Sequence, residues 1–286
     1  RALDASFEEL DTLDLVMSDY LSESEVRGIS VAWEPVSEPL VRVLRESLVV
    51  ARGTSGAFDP TLGRLTKLWR RAFRKGEIPK ESSINEALEM SGYENLLIEE
   101  NSDGVRVRLG KPGILIDLGG IGKGFAMAEL GSLLNDEFNI SSFLIDGGGD
   151  VFAGDMPPGK SGWKVEVRGN GAPLCLEVAN VAVMTSGDLH NYAEMGGKRF
   201  SHVLDPKSGK ALEGSASATV IMANPARADA LASALCVVGS RAKIEDSLEA
   251  LAPEAAFRVS KAGKRKWEKN LRRFKTAVPD PQDRER

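Results

Sequence analysis

Ile116-Asp117-Leu118-Gly119-Gly120-Ile121-Gly122-Lys123-Gly124-Phe125 runs from short apolar residues into a cluster of glycines. A helix-compatible stretch follows, from Gly122 to about Asn135. Glycines let backbone N–H groups come close to an anion, and the first turn of a helix favours negative charge. Lys123 adds a point charge suited to phosphate. Neither familiar nucleotide loop is present. A G-x-G-x-x-G run would need glycine at Phe125, and a P-loop would need Ser or Thr at Gly124. The segment therefore reads either as a phosphate cradle of another kind or as a tight strand-to-helix turn with an exposed lysine.

Outward from this turn, the chain intersperses helical and strand patterns. Ala2–Met17 carries Phe7, Leu10, Leu13, Val16 and Met17 on one helical stripe. Ser37 caps a helix with Leu40, Val43, Leu44 and Leu48 on its apolar face, ended by Gly53. Residues 54–61 read as a turn-rich loop, and 84–90 as a short helix. Strands are expected at 96–98, 105–109, 114–118, 142–146, 163–167, 174–178, 181–184, 200–204 and 219–222. The 114–118 and 142–146 segments read as buried. Period-2 alternation in several of them favours an α+β fold with antiparallel pairing over a doubly wound sheet.

The last helical segment holds a second candidate site. Asn224 is an N-cap, Pro225 fits the first helical position, and Gly239 fits the stop. Asp229 and Ser233 are four apart and share a face among Ala228, Ala230, Ala232 and Ala234. An acidic group on a tightly packed face needs a partner. A carboxylate plus a hydroxyl suits a hard cation such as Mg²⁺. The competing reading puts Asp229 on a solvated edge near Arg227. Of the two histidines, His202 follows Phe200-Ser201 and precedes the Asp205-Pro206 turn, so it serves as a general base or a structural histidine. His190 reads as a surface residue or as a support behind the site. Asp146 and Asp150 flank three glycines and read as turn carboxylates or acidic ligands.

Composition sets the outer limits. The chain has 286 residues, 42% of them hydrophobic, and a net charge of −5, which does not favour a general nucleic-acid binder. From Lys261 onward there are ten basic and four acidic residues, a basic terminal face open to solvent, anionic lipid or a partner. Cys175 and Cys236 have no metal-ligand spacing and read as small core residues. No apolar run is long enough to span a bilayer. A single domain over 1–278 and a disordered tail over 279–286 are expected. The chain starts at Arg1 rather than Met, so an upstream targeting segment or membrane anchor is expected.

In order, these segments resemble the ApbE-type FAD:protein FMN transferases. The match includes Ser18-Asp19-Tyr20, Ser24-Glu25, Gly56-Ala57-Phe58-Asp59-Pro60-Thr61, Leu68-Trp69 and the glycine turn. It continues through Asp146-Gly147-Gly148-Gly149-Asp150, Thr185-Ser186-Gly187-Asp188, Ser201-His202-Val203-Leu204-Asp205-Pro206 and Asp229 to Leu235. The resemblance implies a two-lobed α+β fold, related to the T-fold, with mainly antiparallel sheets flanked by helices and an FAD cleft between lobes. It implies Tyr20, Ala57, Phe58, Asp59, Asp117, Lys123 and Val203 at the FAD site, and Mg²⁺ held by Asp229, Ser233 and the Gly120 carbonyl. His202 would be the catalytic histidine. The implied reaction cleaves FAD and joins FMN through a phosphoester to a Thr or Ser hydroxyl of a client protein, releasing AMP. FAD hydrolysis to FMN and AMP, and FAD binding without catalysis, are the rival activities. A periplasmic or cell-envelope location is implied. Two departures stand out: Ser30 replaces a frequent family asparagine, and the family's usual N-terminal strand is not found after Arg1.

Overall fold

The computed structural model describes residues 1–274 except 103, 168–172, 189–191, 240–243 and 262–263. The expectations for His190 and for the 279–286 tail lie outside the described residues. The first part of the chain holds α1 (Ala2–Met17), α2 (Glu25–Gly28), β1 (Glu34–Pro35), α3 (Glu38–Gly53), α4 (Gly63–Lys75) and α5 (Glu81–Glu89). Strands β2 (Leu96–Asn101) and β3 (Gly104–Leu109) precede α6 (Gly122–Asp136). Strands then dominate, with β4 (Leu144–Asp146), β5 (Val151–Ala153), β6 (Trp163–Val167), β7 (Leu174–Val178) and β8 (Val181–Gly187). They continue with β9 (Tyr192–Met195), β10 (Lys198–Leu204), β11 (Ala211–Glu213) and β12 (Ala216–Met222). The chain closes with α7 (Pro225–Val238), α8 (Glu245–Leu251), β13 (Ala256–Lys261) and β14 (Lys264–Lys269).

The main sheet has six strands in the order β14-β13-β12-β8-β5-β4, every neighbour antiparallel. The α+β expectation holds. Smaller sheets β1-β3-β2 and β11-β10-β9 and the hairpin β6-β7 complete the strands. Helix α7 lies against β8 and β12 and against α6. It is buried along most of its length, and its alanines let it approach so closely. Its ends follow local chemistry: Asn224 Oδ1 accepts from Arg227 N at 2.9 Å, Pro225 opens the helix, and Gly239 closes it at φ 60°.

The apolar interior divides. A large core joins α1, α3, α6 and α7 to the main sheet. A smaller one gathers Leu65, Trp69, Ile84, Phe200 and Leu204 from α4, α5 and β10. Strand β10 touches both, because Val203 belongs to the large core and Phe200 and Leu204 to the small one. Trp69 Nε1 donates to Gly209 O at 2.8 Å and ties α4 to the turn after β10.

Several expectations need correction. Residues 114–118 do not form a ladder strand. Leu115 makes one isolated parallel bridge to Leu62, and Asp117 N donates to Pro60 O at 2.8 Å. The neighbouring chain turns into α4 at Gly63, so no ladder can extend there. Strand β4 is an exposed sheet edge rather than a buried strand, with Leu144 exposed. On α1 only Leu13 is fully buried, while Phe7 of the expected apolar stripe is 66% exposed. Cys236 is buried as expected, and burial pushes its thiol up to about 12; Cys175 is half-buried.

Candidate active site

The first turn of α6 and the first turn of α7 meet at a backbone contact. A Cβ on Gly124 would stand 2.2 Å from Pro225 O and 2.9 Å from Ala226 Cα, so only glycine fits. This closeness lets Gly124 N donate to Asp229 Oδ2 at 3.1 Å across the two helices. Asp229 is 5% exposed. Burial raises its carboxyl from 3.8 to about 6, with Asp150 adding to the rise, while Lys123 and the Gly124 N–H oppose it. The solvated-edge reading of Asp229 is therefore wrong. Arg227 instead forks onto Glu46, with Nε to Oε1 at 2.5 Å.

Lys123 forms an ion pair with Asp150, which is 4% exposed. Burial acts to discharge Lys123, but Asp229 and Asp150 outweigh it and hold the ammonium above its ordinary value. Asp150 also accepts from Thr185 N at 2.6 Å, which fixes it to β8. Asp146 is the simpler turn carboxylate, accepting from Gly149 N at 2.9 Å. On the turn itself, Asp117 accepts from Gly119 N at 2.8 Å and from the Thr66 hydroxyl at 2.5 Å. Asp59 accepts from the Thr61 N–H and hydroxyl and from Tyr93 N, so its carboxylate holds the 54–61 loop in shape.

These groups surround one cleft of about 730 Å³, within the range of small-molecule sites. It brings together Ala57, Phe58, Asp59, Asp117, Gly120, Lys123, His202, Val203, Asp229 and Ser233. Tyr20 alone among the expected site residues does not line it. Tyr20 is 75% exposed and lies one layer out, under the Arg70 guanidinium at 4.4 Å from the ring centroid. Arg70 does line the cleft and pairs with Asp19 at 2.5 Å. Ser30 lies outside the lining too: its hydroxyl donates to Glu34 Oε1 at 3.2 Å and accepts from Ala32 N at 3.0 Å.

His202 reaches the cleft through an irregularity. The β10–β11 register shifts between Phe200 and Leu204, and Ser201 Oγ accepts from Val203 N at 3.1 Å. Burial along β10 breaks alternation there, leaving His202 exposed between two buried pairs. A bulge that re-aims one side chain is common beside functional sites.

Among the described residues, Asp59, Asp117, Asp146, Asp150, Glu166 and Asp229 line the cleft against Lys123 and Arg70 as cations. An anionic ligand entering such a cleft needs further positive charge. Gly120 and Ser233 are adjacent, since a Cβ on Gly120 would lie 3.4 Å from Ser233 Oγ. One buried carboxylate, one hydroxyl and a backbone carbonyl make an all-oxygen set that fits Mg²⁺. Among the described residues no group of three or more His, Cys, Asp or Glu could hold a metal ion. The sequence reading missed the α4 wall of Thr66, Trp69, Arg70 and Phe73, and the Ser186 hydroxyl 3.3 Å from Ser233 Oγ.

A cleft of this kind, between a glycine turn and an antiparallel sheet, belongs to an α+β enzyme that handles a phosphate-bearing small molecule. Comparison with known proteins narrows the class. The ApbE family profile matches residues 2–256, and the chain belongs to the ApbE family. It is 30% identical over 268 residues to the FAD:protein FMN transferase of Escherichia coli K12, spanning 89% of this chain and 75% of that one. The Treponema pallidum FAD:protein FMN transferase is 30% identical over 259 residues, spanning 83% and 71%. The apo flavinyl transferase ApbE of Pseudomonas stutzeri superposes with a TM-score of 0.78 at 29% identity, covering 91% and 82%. The ApbE protein of Thermotoga maritima superposes at 0.83 and 29%, covering 96% and 90%.

Proposed function

We propose that the chain is an FAD:protein FMN transferase that works with Mg²⁺ and joins FMN to a Ser or Thr hydroxyl of a client flavoprotein. The observation that carries this reading is the convergence of Asp229, Ser233, Lys123 and His202 on one carboxylate-rich cleft. Asp229, Ser233 and the Gly120 carbonyl would hold the metal. When bound, Mg²⁺ would supply the positive charge that the FAD pyrophosphate needs among these carboxylates. Lys123 carries its charge toward the same oxygens, and glycine N–H groups of the turn add donors. His202 accepts the proton of the client hydroxyl as its oxygen bonds to the phosphorus on the FMN side. The bond from that phosphorus to the bridging oxygen breaks, and AMP leaves. Orientation in the cleft supplies most of the acceleration, because phosphoryl transfer asks little covalent help of the protein.

His202 is exposed, so water reaches it as readily as a client hydroxyl does. FAD hydrolysis to FMN and AMP is therefore the second reading. Mass spectrometry of a candidate flavoprotein incubated with the enzyme, FAD and Mg²⁺ separates the two. An FMN-phosphoester mass gain lost in His202→Ala supports transfer. AMP release at the same rate without any client, and no mass gain with one, supports hydrolysis. A periplasmic or cell-envelope site of action is part of the proposal on the family resemblance alone, and fractionation of the source cells tests it.

A further inference from the structure

Helix α4 carries Arg64, Lys67, Arg70, Arg71, Arg74 and Lys75 in its 13 residues and no acidic residue. This density opposes the net charge of the chain, −5. Helical spacing sorts the charges. Lys67, Arg70 and Arg74 form one row, and Arg64, Lys67, Arg71 and Lys75 form the next. The first row meets the cleft at Arg70 alone, which lines it together with Thr66, Trp69 and Phe73 of the same helix. The second faces away from the core, with Arg64, Arg71 and Lys75 exposed, as is Arg74 at the end of the first row.

Among the described residues, little neutralises this face. Arg70 pairs with Asp19, and Arg64 Nε donates to Gly113 O. Among the described residues, Lys67, Arg71, Arg74 and Lys75 have no ion-pair partner. Lys67 reports the crowding: burial lowers its ammonium below the ordinary value, and Arg27, Arg70 and Arg64 lower it further against the single opposing carboxylate of Asp19. Unpaired like charges on one helix face repel one another. They are retained at a small local cost that an anionic partner would reverse.

The cleft interior carries the opposite charge, from the six carboxylates described above. The two fields sort an incoming chain. Acidic side chains are repelled from the cleft and attracted to the α4 lip, while an uncharged Ser or Thr passes inward. We propose that the α4 face is the docking surface for acidic protein segments that flank the acceptor residue of the client. This rests on the transferase reading above. A protein segment is favoured over a lipid surface because α4 walls the same cleft, so whatever lies on the lip is continuous with whatever enters.

The test uses the full chain and fluorescein-labelled peptides with one central Thr. Their flanks are rich in Asp and Glu, in Asn and Gln, or in Lys. Anisotropy at low and moderate salt gives affinities without requiring turnover. The acidic peptide should bind at least about tenfold tighter than the neutral one, more weakly as salt rises. The triple variant Arg71→Glu, Arg74→Glu, Lys75→Glu should lose that preference and gain one for the Lys-flanked peptide. Its FAD affinity should not change, since none of the three residues lines the cleft. The Gln triple variant gives the same loss without reversal, should the Glu variant fold poorly. Equal affinity of the wild type for acidic and neutral peptides overturns the proposal. So does an unchanged preference in both variants, or binding to phosphatidylglycerol vesicles in place of the acidic peptide. A parallel incubation with FAD and Mg²⁺ keeps the two readings apart. FMN transfer to neutral and acidic peptides at equal rates sinks the docking surface and leaves the transferase reading intact. Tight acidic-peptide binding with no FMN transfer to any acceptor does the reverse.

Discussion

Asp229→Asn should make the metal-free protein more stable while destroying its response to metal. In the folded chain, burial holds the Asp229 carboxyl at about 6 against an ordinary 3.8. At 1.36 kcal/mol for each tenfold change in proton affinity, the gap is worth roughly 3 kcal/mol. Attraction by Lys123 is already inside that figure. Below pH 3.8 the group is protonated in both the folded and unfolded chain and exacts no penalty. As pH rises toward 6, the unfolded chain ionises while the folded chain keeps its proton, so folding stability falls. Above that range both are ionised and the full penalty persists. An asparagine of the same shape escapes it. In EDTA at pH 8, the variant should therefore melt higher than the wild type by ~6–12 °C, at ~2–4 °C per kcal/mol for a chain of about this size. At pH 5 roughly half the advantage should remain. Added Mg²⁺ and FAD should raise the melting temperature of the wild type and leave the variant unmoved. A variant less stable than the wild type at pH 8 in EDTA would refute the reasoning, since Asp229 would then be a net structural support.

The same proton competes with the metal, so calorimetric Mg²⁺ affinity in the presence of FAD should weaken about tenfold for each pH step below about 6, and hardly change between pH 7 and 8. Gly124→Ala should cost ~2–3 kcal/mol in urea unfolding despite the better helix propensity of alanine, because the added Cβ meets Pro225 O at 2.2 Å with backbone on both sides. FAD binding, read by flavin fluorescence, should fall with it, and a variant of normal stability would show that α6 and α7 can part freely. Trp69→Ala should cost ~3–5 kcal/mol by the same unfolding measurement, since Trp69 is 2% exposed and its indole N–H holds Gly209 O.

Local chemistry made some of this readable in advance. The caps of α7 are short-range devices, and Ser37, whose hydroxyl accepts from Leu40 N at 3.5 Å, is another. The glycine turn announced itself by composition, and its place against Pro225 explains Gly124. Helix α4 went unread although Leu65, Trp69 and Ala72 recur at helical spacing, because six basic residues obscured that stripe. The pairs β12–β13 and β13–β14 go unread because no pattern is drawn over 256–260 and the charge from Lys261 onward hides the strand of β14. Two facts were beyond any local pattern. Asp150 meets Lys123 from 27 residues away in sequence. The side of β10 on which His202 emerges depends on a register shift against β11. Likewise Phe7 sits on a regular stripe, and only packing decides that nothing described covers it.

The split loyalty of β10 has a bearing on the order in which the molecule assembles. Val203 condenses with the helices and main sheet that carry Lys123 and Asp229, whereas Phe200 and Leu204 condense with α4 and α5. His202 sits at the stitch between them. On the transferase reading, a partly melted chain with only the larger core in place would keep Lys123 and Asp229 together but leave the proposed proton acceptor unfixed. On that reading, such a chain would hold flavin without consuming it until the second core closed.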